Sequence, residues 1–112
     1  VFTFTALERS ALRGDAIADD SLRDLSLGNR WRVYGLQAWV QGDDLEAVRC
    51  FARSVESQPR DTFEWAVSAR LHGLALVRVQ REVEGTFVLE RADAVLERFG
   101  GQPFTLEALL EG

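Results

Sequence analysis

The amino-acid pattern predicts an all-α fold: an antiparallel helix-pair solenoid of two repeats with flanking capping helices. Three observations carry this. Apolar residues recur at spacings of three and four through most of the chain, which is the signature of one buried helical face. Only two prolines, Pro59 and Pro103, interrupt 112 residues that are 46% apolar and include three Trp and seven Phe. The sequence also matches itself when displaced by 38 residues, the separation of Gly35 and Gly73. Tyr34-Gly35-Leu36 then faces His72-Gly73-Leu74, Leu45-Glu46-Ala47 faces Val83-Glu84-Gly85, Phe51 faces Leu89, Arg53 faces Arg91, and Ser54 faces Ala92. Small residues fall on small ones and large apolar residues on large apolar ones, the mark of a repeat.

Each element follows from local signals. Thr5 to Arg13, stopped by Gly14-Asp15, and Asp19 to Leu27, stopped by Gly28-Asn29, read as a short helical pair. Asn29 is the expected N-cap of a helix from Arg30 to Gln41, which Gly42 and Asp43 break. Asp43 with Glu46 has the form of a capping box and opens a helix from Asp44 to about Gln58, ended by Pro59; its apolar face is Leu45, Val48, Phe51, Ala52 and Val55. Asp61 with Glu64 offers a second capping box. It would start a longer helix, from Thr62 to about Gln80, that places Phe63 and Trp65 on an added turn. Phe87, Val88, Ala92, Val95, Leu96 and Phe99 then recur at helical spacing until Gly100-Gly101. A β-hairpin over Leu74 to Val79 and Thr86 to Leu89, turning at Glu84-Gly85, is the competing reading of this stretch. Thr105 to Glu111, after Pro103, reads as a last short helix. The chain is expected to be a single domain: capping helices over 1–28, a first repeat over 29–61, a second over 62–100, and a C-terminal helix or the start of a truncated repeat over 101–112.

Composition narrows the function. Thirteen Arg and no Lys stand against 18 carboxylates, giving a net charge of -5 and a pI near 4.8. That field repels phosphate backbones and anionic lipid, so neither nucleic acid nor a membrane is an expected partner. Cys50 is the single cysteine, which forbids an internal disulfide and suits a reducing compartment; the expected location is the cytoplasm, with a removed leader left open. Cys50 has no neighbouring ligand for zinc and His72 is the only histidine, placed where a repeat packs its helices together. Asp43-Asp44 and Asp19-Asp20 sit where helices begin, so capping explains them. Arg13-Gly14-Asp15 reads as a helix stop followed by a cap. No phosphate loop or serine elbow is present, so no cofactor, no metal and no catalysis are expected.

Trp31, Gly35, Ala47, Phe51 and Pro59 stand in the order W-x2-Y-G-x2-A, A-x3-F, P, which resembles the tetratricopeptide repeat signature. The resemblance covers about residues 29–99. It is specific in the first copy and degraded in the second, where Ala69 aligns with Trp31 and no proline matches Pro59. Leu71 to Phe99 is also similar to repeats in the sensor domains of large bacterial transcription activators. The first resemblance implies a non-catalytic scaffold for protein–protein interaction, free-standing or a module of a larger regulator. Its first helices would line a concave groove holding a peptide or helix of a partner. Carried over position by position, that groove is Arg32, Leu36, Trp39 and Val40 in the first copy, with Arg70, Leu74, Val77 and Arg78 in the second. Arg32 and Arg70 would either flank an apolar floor and receive an acidic partner segment, or solvate a helix face. The alternative function is a self-assembling structural protein, because two repeats leave end faces to cover.

Overall fold

The computed structural model describes residues 5–101 and forms six helices: α1 (Ala6–Leu12), α2 (Asp19–Leu22), α3 (Leu27–Val40), α4 (Asp44–Ser57), α5 (Phe63–Arg78) and α6 (Glu82–Arg98). The expected helix over Thr105 to Glu111 lies outside the described residues. Among those residues there is no strand, so the stretch from Leu74 to Leu89 is helical apart from the turn between α5 and α6.

Two helical hairpins, α3–α4 and α5–α6, make the body, and α4 packs on α5 to join them. The 38-residue match reappears as matched contacts. A Cβ placed on Gly35 would collide with the Phe51 ring, and one on Gly73 would lie 2.8 Å from Leu89 Cγ. Gly85, which corresponds to Ala47, brings α6 so near α5 that a Cβ there would stand 2.9 Å from the Gly73 carbonyl oxygen. Trp31 has its counterpart one turn early: Arg53 lies 5.2 Å from the Trp31 ring centre, and its equivalent Arg91 lies 5.9 Å from that of Trp65. The added turn of α5 therefore restores the aromatic that Ala69 lacks.

The helix ends explain where the sequence reading slipped. α3 starts at Leu27, three residues before Arg30, because the Ser26 hydroxyl accepts the Asn29 amide at 3.2 Å; Gly28-Asn29 belongs to the helix, and α2 stops at Leu22. Asp43 does cap α4 through the Glu46 amide at 3.1 Å, but the Glu46 carboxylate turns to Arg49, leaving the box half made. Thr62, not Asp61, caps α5, accepting the Trp65 amide at 3.2 Å, while Asp61 takes a left-handed φ of 61°. In the α3–α4 turn Gly42 has φ 82°, and its equivalent in the α5–α6 turn is Gln80 at φ 67°. The same turn is thus built once with glycine and once without.

Ala11 and Leu12 of α1 join Val33, Leu36, Phe51, Val67, Leu71, Leu76 and Leu96 in one core. Beneath it runs a buried polar line. The Ser54 hydroxyl donates to the Gly28 carbonyl at 2.7 Å and lies 2.8 Å from the Ser68 hydroxyl, which also accepts from Arg32 at 3.3 Å. No described helix is long and apolar enough to cross a membrane.

Candidate partner-binding cleft

The groove expected from the sequence is closed. Arg32 is 1% exposed, and Leu36, Trp39 and Arg70 are also buried; Val40 and Leu74 are half-buried, leaving only Val77 and Arg78 open to solvent. The physical reason is that α1 packs on α3 and supplies the acid itself. Arg32 donates to Glu8 at 3.0 Å and to Glu64 at 2.5 Å, joining α1, α3 and α5. The Thr5 hydroxyl donates to Glu8 at 2.8 Å and holds it in place. Arg70 pairs with Asp93 of α6 at 2.6 Å, so the two arginines do not share an open floor. Arg78 lies 5.5 Å from the Trp39 ring centre and 3.4 Å from Asp44. Arg32 does bind carboxylates, but they are Glu8 and Glu64 of its own chain and not those of a partner segment.

An open site lies on the other side of α5. A cleft of about 370 Å³ is bounded by α4, α5 and α6. Its floor is Trp65, Ala69 and His72, which share one face of α5, and its apolar walls are Val55 of α4 and Phe87 and Val88 of α6. The cleft lies where α4 and α6 each pack on α5 but scarcely on one another. Its charged lining is Glu56, Arg60 and Arg91. None of these three forms an ion pair among the described residues. The Arg91 guanidinium sits 5.9 Å from the Trp65 ring centre and 6.0 Å from that of Phe87, which is 60% exposed. A guanidinium at this distance from the rings makes at most a weak cation–π contact and keeps its N–H groups available to an anion.

Two ionisable side chains beside these helices are shifted by burial. Burial pushes the His72 imidazole below its ordinary value, so it is neutral at neutral pH. Burial, with a hydrogen bond to the Glu46 carboxylate, pushes the Cys50 thiol up to about 11 and keeps it protonated. Among the described residues no group of three His, Cys, Asp or Glu side chains could hold a metal ion. Apolar walls with a few convergent polar groups are the general make-up of a binding pocket.

Comparison with known proteins found no matching family model, no similar curated protein and no similar solved structure.

Proposed function

We propose that this chain is a non-catalytic binding module, a tetratricopeptide-like pair of helical hairpins that holds a segment of a partner protein in the cleft between α4 and α6. The observation that carries the reading is the cleft itself: an open apolar slot with an exposed Phe87 at its wall and, in its lining, Arg60 and Arg91, neither of which forms an ion pair among the described residues. Matched contacts at Gly35–Phe51 and Gly73–Leu89 support the repeat assignment on which it builds. Partner binding by such stacks relies on a rigid surface, and the buried core with its satisfied Arg32 cluster supplies rigidity.

The experiment is site-specific photo-crosslinking in the native host. A photoreactive side chain placed at Phe87 should give a discrete adduct that the same side chain at Leu45, an exposed position outside the cleft lining, does not give. Equal labelling from both positions would reject the cleft as the binding surface.

A further inference from the structure

We infer that the segment received by the cleft is an acidic amphipathic helix of a partner protein, with an apolar anchor over Ala69 and a carboxylate at Arg91 and Arg60. The inference rests on the cleft being the docking surface and adds the chemistry of what docks there. Shape is the first argument. α4 and α6 leave an open trough floored by one face of α5, and a helix is the element that fills a trough between two helices. Val83, Phe87 and Arg91 follow one another along α6 at intervals of one turn, giving two exposed apolar side chains and then a cation. A helix laid along this stripe matches it by carrying apolar residues and then a carboxylate at the same interval.

Charge is the second argument. The whole chain carries -5, yet the cleft is lined by two arginines and one glutamate. Local charge opposes global charge at this open apolar slot. Arg91 lies at the outer reach of a cation–π contact with Trp65 and Phe87 and forms no ion pair among the described residues, so its N–H groups can donate charge-assisted bonds to a carboxylate. Arg60 stands in the α4–α5 loop beside Asp61, whose left-handed backbone fixes the turn. A basic helix would meet the like charges of Arg60 and Arg91 instead.

The test is selection from randomised helical peptides of about four turns, displayed on phage, against the immobilised chain. Peptides that also bind the Phe87→Asp variant are removed. The survivors should carry Asp or Glu one turn from an aromatic or branched apolar residue. In fluorescence anisotropy a labelled survivor should lose about tenfold or more in affinity to the Arg60→Gln, Arg91→Gln variant, and should weaken as salt rises. Circular dichroism reports whether that variant is folded; if it is not, Arg60→Gln alone, at an exposed loop position, gives the same reading with a smaller loss. Survivors that depend on Phe87 but are neutral or basic would overturn the acidic helix and leave the cleft standing. The absence of any Phe87-dependent survivor would overturn the cleft and the inference together.

Discussion

Gly85→Ala tests the close crossing of α5 and α6 that the repeat requires. Inside a helix the change gains about 1 kcal/mol of propensity. Against that, the new Cβ would lie 2.9 Å from the Gly73 carbonyl oxygen, 2.8 Å from Val77 Cγ2 and 3.2 Å from the Val77 amide nitrogen. Two of these atoms are backbone, so no rotamer change relieves the contact and one helix must shift. Overpacking of a tight core costs about 1 to 3 kcal/mol, and backbone contacts belong at the upper end. The net expectation is a loss of about 1 to 2 kcal/mol, which lowers the melting temperature of a domain this size by about 5 to 15 °C. Gly28→Ala is the control. Its Cβ would meet only the Gln58 side chain, which can swing away at the cost of its 2.8 Å bond to Asn29, so its effect stays within about 1 kcal/mol. Thermal melts followed by far-ultraviolet circular dichroism read both. A Gly85→Ala variant melting at or above the parent would refute the crossing.

Three further outcomes follow from the geometry. Gln80→Gly should raise stability by about 0.5 to 1 kcal/mol in urea titration, because Gln80 holds a left-handed φ of 67° that glycine adopts without strain; a loss would show that the Gln80 side chain contributes more than its backbone costs. Glu8→Ala should cost about 3 kcal/mol by removing one of the two carboxylates on the buried Arg32, and Arg32→Glu should unfold the chain by facing Glu8 and Glu64 with a third acid; a folded Arg32→Glu variant would reject this arrangement. His72 is held below its ordinary value of 6.5, so the unfolded chain takes up its proton first, and stability from this group is complete above about pH 7 and declines as pH falls through about 6.5. Urea midpoints measured from about pH 8 to pH 5 should fall less steeply for His72→Gln than for the parent, and parallel slopes would contradict the assignment.

The all-helical fold and its two close hairpin crossings were legible because their contacts are local. Gly35 with Phe51, and Gly73 with Leu89, lie 16 residues apart within single hairpins, and their residue types are forced by close helix approach. The fate of Arg32 was not legible. Glu8 is 24 residues away on a seven-residue helix, and nothing in helical periodicity says that this helix seats on α3. An arginine read as solvent-facing is instead enclosed, because its charge is met twice within the chain. The cleft was not legible either, because Val55, Ala69 and Phe87 come together only through the packing of α4 and α6 on α5. Cap choice between Asp61 and Thr62 turned on a backbone φ of 61° that residue type alone does not dictate.

Docking of a partner helix between α4 and α6, and not on the face of α3, is read by amide chemical-shift mapping of the labelled chain as a selected acidic helical peptide is added. Shifts should concentrate at Val55, Glu56, Ala69, His72, Phe87 and Val88, with Glu8, Arg32 and Leu36 unmoved. Shifts centred on α1 and the Arg32 cluster would contradict it, and would mean that the partner replaces α1 on α3 instead.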